Sequence, residues 1–373
     1  CGRGVFKLIR KGSLMMRIIF LSVFMGIYGA AAFAQRPAVL AYYTGDGETI
    51  RQYPVAGLTH VIYSFLHLNG DTLSFRNEKQ KATLRQLVSL KEEHPGLKIL
   101  VALGGWGGCG PCSGAFSTPS GRTKFTRAAL RLFREYNVDG IDIDWEYPTI
   151  PGYPGHAYAP EDRVHFTQLL REMRRRFGKQ YEISFAAGGF TRFVEEAVDW
   201  AKVVRYVDRI NLMTYDLVSG ASTQTGHHTP LFSNPSQQES ADHCITMLKA
   251  RNIPLEKLVI GAAFYARSWK EVSPERDGLY QSGEFQSFIP YRKFPALLAD
   301  SSGFVQYRDE TSKSAWSYNA RQKVFATYDD PGSVKAKAAY VLQNKLGGIM
   351  FWELTLDKPV DGLLSIILRE LGQ

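Results

Sequence analysis

The sequence has 373 residues, of which 45% are hydrophobic and 22% are charged, values typical of a globular protein. Its formal net charge of +9 falls to +4 when residues 1–34, which hold five basic and no acidic side chains, are set aside. So mild an excess gives no reason to expect a nucleic-acid partner. A basic run at 171–176 lies on a predicted helix beside Glu172 and is interpreted as a solvated face.

The N-terminal segment, residues 1–34, is predicted to be a leader and signal peptide. Arg17 precedes an apolar run over 18–28, and the small-residue sequence Ala-Phe-Ala ends the segment. A basic flank, a short apolar core and a small-residue cleavage site are typical of a secretory signal peptide. The apolar run is shorter than a membrane-spanning helix requires. We expect translation to start at Met15 or Met16, and cleavage to yield a secreted protein, extracellular or periplasmic, without a membrane segment.

Strand-like apolar runs alternate with helix-like stretches from residue 37 onward. The runs cover 38–43, 60–66, 98–103, 140–145, 182–187, 209–214, 258–264 and 348–352. The helix-like stretches cover 78–93, 121–136, 161–177, 194–206, 237–251, 333–345 and 362–371, and only the first connection, around 49–55, is weak. This alternation predicts a parallel sheet, and eight such units predict an α/β protein with a TIM (β/α)8 barrel.

The interval between the seventh and eighth runs is far longer than one helix needs. Residues 269–328 are rich in aromatic side chains and contain turn signals such as Asp277-Gly278 and Ser302-Gly303. A disordered loop is poor in aromatic residues, so a folded segment is favoured. We predict a small α+β insertion domain here, between strand 7 and helix 7, with the barrel formed by 35–268 and 329–373.

Carboxylates alternate with apolar residues in 139–148, which read D-G-I-D-I-D-W-E-Y-P. Side chains alternate along a strand with a period of two, so Asp142, Asp144 and Glu146 share one face and the other face is apolar. This favours a strand buried on both sides over a solvated strand. A metal site is disfavoured because neighbouring His residues and a glycine-bearing calcium loop are missing. Repulsion between adjacent carboxylates raises the pKa of at least one of them, as a general acid requires.

The pattern D-G-x-D-x-D-x-E followed by Tyr147-Pro148 resembles the glycoside hydrolase family 18 enzymes, the chitinase family. Aromatic strand ends extend the resemblance over nearly the whole mature chain, and many chitinases carry an insertion domain. The resemblance implies hydrolysis of β-1,4 bonds between N-acetylglucosamine units of chitin or chitooligosaccharides, by a retaining, substrate-assisted mechanism at the carboxyl ends of the strands. It implies no metal and no organic cofactor, and we expect a monomer.

The resemblance also implies roles for individual residues. Glu146 would be the general acid, and Asp144 would orient the substrate's 2-acetamido group and stabilise its developing charge. Asp142 would share a proton with Asp144, and Tyr215 would hydrogen-bond the acetamido carbonyl. The other matches are to substrate-binding positions, namely Tyr42, Phe65, Trp106, Tyr147, Met213, Asp216, Tyr265, Arg267 and Trp352. The one departure is Ala266, where glycine is common, and we do not expect it to impair activity.

The sequence Cys109-Gly110-Pro111-Cys112 has two interpretations, a redox motif or a small structural disulfide. It lies in a glycine-rich loop after a predicted strand, and no helix is predicted to begin inside it. In a secreted protein a structural Cys109–Cys112 bridge is therefore favoured over catalytic redox use. Cys244 would remain a buried free thiol on a helix.

Two alternative functions share parts of this pattern. An endo-β-N-acetylglucosaminidase acting on N-glycans has the carboxylate motif but usually lacks the insertion domain and the Trp-Glu-Tyr-Pro sequence. A chitinase-like lectin binds without cutting and typically loses the acid, which this chain retains as Glu146.

Overall fold

The computed structural model of the protein describes residues 1, 2, 4 and 36–373. The predicted signal peptide lies outside the described residues. Residues 36–373 cluster as one unit. Within the part of the chain that the structure describes, no helix is both long and apolar enough to cross a bilayer.

Residues 36–373 contain fourteen strands and nine α-helices. The strands are β1 (Ala38–Tyr43), β2 (His60–Asn69), β3 (Thr72–Ser74), β4 (Lys98–Gly104), β5 (Gly140–Asp144), β6 (Glu182–Gly188), β7 (Arg209–Met213), β8 (Leu258–Ala263), β9 (Tyr265–Lys270), β10 (Glu284–Pro290), β11 (Val305–Asp309), β12 (Ser314–Asn319), β13 (Val324–Tyr328) and β14 (Gly348–Trp352). The helices are α1 (Glu78–Glu93), α2 (Cys112–Ser117), α3 (Pro119–Tyr136), α4 (Asp162–Phe177), α5 (Trp200–Val203), α6 (Ala241–Ala250), α7 (Phe294–Leu297), α8 (Pro331–Gln343) and α9 (Leu363–Leu371).

Eight of the strands form a closed parallel barrel in the order β1, β2, β4, β5, β6, β7, β8 and β14. Pairing of β14 with β1 closes the ring, and β3 adds an antiparallel pair to the end of β2. Helices connect most successive barrel strands, so the predicted TIM barrel is confirmed. The weak first connection consists of two 3₁₀ turns, Thr49–Gln52 and Val55–Gly57.

Capping residues explain where several helices begin. Asn77 precedes α1, and its side chain accepts a hydrogen bond from the backbone N–H of Gln80 at 3.0 Å. Asp330 and Ser333 form a reciprocal capping box at the start of α8. The helix expected over 194–206 is interrupted, because Val198 adopts an extended backbone and separates a short π turn from α5.

The side chains of β5 alternate between the barrel interior and the surrounding helices. Ile141 and Ile143 belong to the large apolar cluster that includes the helix side chains, and both are fully buried. Asp142 and Asp144 are buried on the interior side. The prediction of a strand buried on both faces is thus confirmed. Because β5 ends at Asp144, Glu146 lies two residues past the strand, in the loop at its carboxyl end.

A second, antiparallel sheet follows the seventh barrel strand, β8. Its five strands have the order β10, β9, β13, β12 and β11, and together with α7 they form an α+β insertion between β8 and α8. Only Phe264 separates β8 from β9. The boundary expected at residue 269 therefore falls inside β9, whose first residue is Tyr265.

A buried ion pair ties the end of the insertion to the barrel. Asp329 follows β13 and accepts hydrogen bonds from Lys337 Nζ of α8 at 2.6 Å and from the backbone N–H of Ala263 in β8 at 2.8 Å. Asp329 and Lys337 are both fully buried. The point where the chain enters the insertion and the point where it leaves are thus held by one carboxylate.

Candidate active site

A cavity of about 630 Å³ opens at the carboxyl ends of the barrel strands. It is lined by Phe65, Trp106, Asp144, Glu146, Tyr147, Phe190, Met213, Tyr215, Asp216, Ser219, Gly220, Ala221, Tyr265, Arg267, Phe288 and Trp352. All of the predicted catalytic and substrate-binding residues except Asp142 and Tyr42 are therefore in its wall. Asp142 and Tyr42 lie beneath it and contact each other.

Asp142 is a fully buried carboxylate with three hydrogen-bond donors. Its Oδ2 accepts from the Tyr42 hydroxyl at 2.8 Å, and its Oδ1 accepts from Ser184 Oγ at 2.6 Å and Asn211 Nδ2 at 3.0 Å. Burial raises the pKa of Asp142 to about 6, and these hydrogen bonds oppose a larger rise. The donors come from β1, β6 and β7, so barrel closure creates the environment of this group.

Asp144 and Glu146 have far fewer stabilising partners. Oδ1 of Asp144 is buried without a hydrogen-bond partner. Burial raises the pKa of Asp144 well above its usual range, and the charges of Glu146 and Asp142 raise it further. Burial also raises the pKa of Glu146 to about 7. A hydrogen bond from the Tyr147 hydroxyl lowers this pKa, and the charge of Asp216 raises it. A carboxyl group with such a pKa keeps its proton near neutral pH and can donate it.

Asp216 has the opposite electrostatic environment on the facing wall. It accepts two hydrogen bonds from Arg267, Nε to Oδ1 at 2.8 Å and Nη2 to Oδ2 at 2.6 Å, and His228 Nδ1 lies 3.5 Å from Oδ1. Burial alone would raise the pKa of Asp216, but the His228 ring and the Arg267 guanidinium outweigh it and hold that pKa well below its usual range. Asp216 is thus a charged, paired carboxylate next to two carboxyl groups that favour the protonated form.

Aromatic rings form the remaining walls of the cavity. Trp352 stacks on Phe65 with ring centroids 5.4 Å apart and a 19° angle between planes. Tyr265 stacks on Phe288 of the insertion at 4.6 Å and meets Tyr215 edge to face. The cavity therefore combines aromatic rings with an acidic group, a composition that suits sugar rings.

The loop after β4 carries Trp106 and the cysteine motif. Trp106 is 58% exposed at the rim of the cavity. Cys109 and Cys112 are joined in a disulfide with their Cα atoms 5.2 Å apart, whereas Cys244 is a buried free thiol. The expectation that no helix begins inside the motif was wrong, because α2 starts at Cys112.

Several residues of the site were not predicted. Phe190, Phe288 and the segment 219–221 line the cavity, and Ser184 and His228 contact its carboxylates. Phe288 falls in the aromatic insertion and could have been a candidate, but its partner depends on the pairing of β10 with β9. Within the described residues, no group of three or more His, Cys, Asp or Glu side chains is arranged to hold a metal ion.

Comparison with known proteins identifies the class. The profile of Glycosyl hydrolases family 18 matches residues 38–357. Chitinase A1 of Niallia circulans is 32% identical over 74% of this chain and 43% of its own length, and mouse chitotriosidase-1 is 32% identical over 80% of this chain and 67% of its own. The chain thus spans less than half of the former relative.

Solved structures agree with these relatives. A family 18 N-acetylglucosaminidase from Paenibacillus barengoltzii has 35% identity and a TM-score of 0.81, covering 90% of this chain and 99% of that one. The chitinase ChiW of Paenibacillus sp. has 31% identity and a TM-score of 0.84, covering 90% of this chain and 43% of that one.

The family match and the relatives together place the protein in the class of the glycoside hydrolases. The chain belongs to glycosyl hydrolase family 18.

Proposed function

We propose that the protein hydrolyses β-1,4 bonds between N-acetylglucosamine units of chitin or chitooligosaccharides, with retention of configuration and assistance from the substrate. The observation that carries this proposal is the position of Glu146, which is buried in the wall of an aromatic cavity where burial raises its pKa to about 7. Glu146 would protonate the glycosidic oxygen as general acid and activate water as general base in the second step.

The state of the other carboxylates favours a nucleophile that comes from the substrate. Asp216 is committed to its two hydrogen bonds from Arg267, and Asp144 is held near its protonated form. The acetamido oxygen would therefore attack the anomeric carbon and form an oxazolinium ion while the leaving oxygen takes the proton of Glu146. Asp144 would orient the acetamido group and stabilise the positive charge that develops on it, and Tyr215 would hydrogen-bond the acetamido carbonyl.

The roles of Asp142 and the aromatic residues follow from their positions. Asp142 would exchange a proton with Asp144, because burial raises the pKa values of both neighbouring carboxyl groups. Trp352 would form the floor under the reacting sugar, next to Phe65. The remaining predicted binding residues of the cavity wall would complete the subsites, namely Trp106, Tyr147, Met213, Tyr265 and Arg267, and Tyr42 would act through its hydrogen bond to Asp142.

A second candidate is the release of single N-acetylglucosamine units from chain ends. It is favoured by the similarity to the Paenibacillus barengoltzii structure, which is described as an N-acetylglucosaminidase and is covered over 99% of its length. Time courses on chitohexaose separate the two, because chain-end release gives monomer first and internal cleavage gives intermediate lengths first.

Product sequencing of partly acetylated chitosan tests the mechanism. If the acetamido oxygen is the nucleophile, every new reducing end must carry an acetyl group. Deacetylated units at their statistical frequency would contradict substrate assistance and require a protein carboxylate as nucleophile. The Glu146→Gln variant, prepared in the same way, serves as the blank for contaminating activity.

Reducing-end release from colloidal chitin, compared with cleavage of a high-mannose glycopeptide, tests the substrate class. We expect cleavage of chitin alone. Cleavage of the glycopeptide alone would favour an endo-β-N-acetylglucosaminidase, and binding of chitin without cleavage would favour a lectin.

We also propose that the protein is exported. The support is the basic flank, apolar run and Ala-Phe-Ala site within residues 1–34. N-terminal sequencing of the exported protein should begin at Gln35, and an exported chain that retains the apolar run would contradict the cleavage.

A further inference from the structure

Three rings form a continuous aromatic row that starts at the cavity and leaves it. Trp106 lines the cavity, and its ring meets that of Tyr153 edge to face with centroids 5.7 Å apart. Tyr153 in turn contacts the His156 ring at 4.9 Å. Tyr153 is 41% exposed and lies outside the residues that line the cavity. The row is therefore an accessible aromatic surface next to the candidate active site.

The disulfide loop packs directly against this row. A Cβ atom placed on Gly107 would lie 3.3 Å from Tyr153 Cε2, and one placed on Gly110 would lie 3.1 Å from His156 Nε2. Both glycines thus lie close to the two rings, with little spare room. Gly110 is enclosed by the bridge between Cys109 and Cys112.

The same loop is anchored to the strand that carries the acids. The backbone N–H of Gly105 donates to the carbonyl of Asp144 at 2.9 Å. A Cβ atom on Gly104 would lie 2.1 Å from that carbonyl oxygen and 3.3 Å from Cys109 Sγ. The bridged loop therefore lies between the end of β5 and the aromatic row and contacts both.

We propose that Tyr153 and His156 form an additional sugar-binding subsite beyond Trp106, and that the Cys109–Cys112 bridge positions it. This inference rests on the proposed function, and it adds a preference for chains long enough to reach past Trp106. The occupant is an N-acetylglucosamine unit of a chain already bound in the cavity, because the row is continuous with the cavity wall. Tyr and His present an apolar face with a polar tip, as stacking on a sugar ring with hydroxyl contacts requires.

The length dependence of turnover tests the subsite. The measured quantity is kcat/KM for chitohexaose divided by kcat/KM for chitotriose, determined for the full chain. Tyr153→Ala should lower this ratio about two- to tenfold, the range expected for loss of one aromatic stacking contact. Tyr153→Phe keeps the ring and should restore the ratio to within about twofold of the parent.

Tyr158 supplies the matched control. It lies in the same loop and is 48% exposed, and among the described residues it has no aromatic ring partner. Tyr158→Ala should leave the ratio unchanged. If Tyr153→Ala and Tyr158→Ala give the same ratio as the parent, the subsite does not exist. If the parent cleaves neither oligosaccharide, the proposed function fails instead.

The bridge is tested as a positioning element by the Cys109→Ser/Cys112→Ser double variant. A loop that is no longer fixed should lower the hexaose-to-triose ratio in the same direction as Tyr153→Ala, mainly through KM. Equal losses of kcat/KM on both substrates would leave the ratio unchanged and show a purely structural bridge, and full kcat/KM on both would show that the bridge does not position the row. Either result would overturn the positioning role while leaving the Tyr153 test intact.

Discussion

The barrel buries Glu182 at the amino ends of its strands and Asp144 and Glu146 at the carboxyl ends, and the surroundings of these acids are opposite. At the amino ends of the strands, Glu182 accepts hydrogen bonds from Lys98 at 2.7 Å and Arg209 at 2.8 Å, and His60 Nε2 lies 3.2 Å away. Burial would raise the pKa of Glu182, but His60, Arg209 and Lys98 outweigh it and hold that pKa well below its usual range. This end has a charged and fully partnered acid.

At the carboxyl ends, Asp144 and Glu146 are both buried. Within the part of the chain that the structure describes, neither forms an ion pair with a Lys, Arg or His side chain. Burial raises the pKa values of both. Nearly the same degree of burial therefore gives a charged acid at Glu182 and carboxyl groups with raised pKa values at Asp144 and Glu146. Asp216, in the same cavity as Asp144 and Glu146, is charged because Arg267 and His228 contact it. The difference is the presence of basic neighbours, and it assigns stability to the amino end and proton transfer to the carboxyl end.

The largest effect should come from removing the proton donor. Glu146→Gln is nearly isosteric but has no acidic proton, so we expect kcat to fall about 10²–10⁴-fold. The free energy of unfolding should stay the same or increase at pH 8, because the amide avoids burying an unpaired charge. Oligosaccharide hydrolysis and urea unfolding measure the two quantities. A loss of less than about tenfold would remove Glu146 from the acid role.

The corresponding change at the other end should affect stability and not chemistry. Glu182→Gln leaves Arg209 and Lys98 without their carboxylate, and breaking a buried pair costs about 3 kcal/mol of unfolding free energy. Turnover per folded molecule should be close to the parent. Glu92→Gln, at an exposed position of α1, is the control and should change stability by less than about 0.5 kcal/mol. If Glu182→Gln instead lowered kcat with stability intact, the division between the two ends would be wrong.

The alternation of polar and apolar residues made much of this arrangement predictable. The period of two in 139–148 predicted a strand that is buried on both faces. Two of the acids in this pattern, Asp144 and Glu146, line the cavity. The amino-end cluster could not be foreseen in the same way. Glu182, His60, Lys98 and Arg209 each begin a different strand, and they meet only because the barrel closes.

The same reason explains the residues of the site that were missed. Ser184 and Asn211 are single polar residues inside apolar runs, and neither has a local pattern that marks it as a partner of Asp142. Phe288 reaches Tyr265 because the antiparallel register of β10 and β9 brings those two strands side by side. Contacts that depend on closure or register are not encoded in a short segment.

The two ends should also respond to pH in opposite directions. Glu146 must hold its proton to act as the acid, so kcat should fall about tenfold per pH unit above its pKa of about 7. Glu182 has a lowered pKa in the folded state, so its contribution to stability is present above its unfolded pKa of about 4.3 and is lost as the pH falls further. Activity measured from pH 5 to 9 tests the first statement. Unfolding of the parent and Glu182→Gln between pH 5 and 3 tests the second, and the variant should lose less stability on acidification. A constant kcat up to pH 9 would contradict the assignment of Glu146.

The smallest effect concerns Asp142, which lies between the two extremes because it is buried without a cation but has three neutral donors. Ser184→Ala removes one of them and should raise the pKa of Asp142 further above about 6. The lost hydrogen bond stabilises the ionised carboxylate more than the protonated one, so its removal should cost about 1–2 kcal/mol at pH 8 and less at pH 5. Urea unfolding at both pH values measures this difference.

The control is Ser314→Ala, which removes a buried hydroxyl whose hydrogen bond goes to a backbone carbonyl at 3.4 Å. This variant should cost the same unfolding free energy at both pH values. Equal costs for Ser184→Ala at the two pH values would contradict this prediction, because they would mean that Asp142 has the same charge at pH 5 and at pH 8. The neutral donors would then hold Asp142 in one charge state, as the cations do for Glu182.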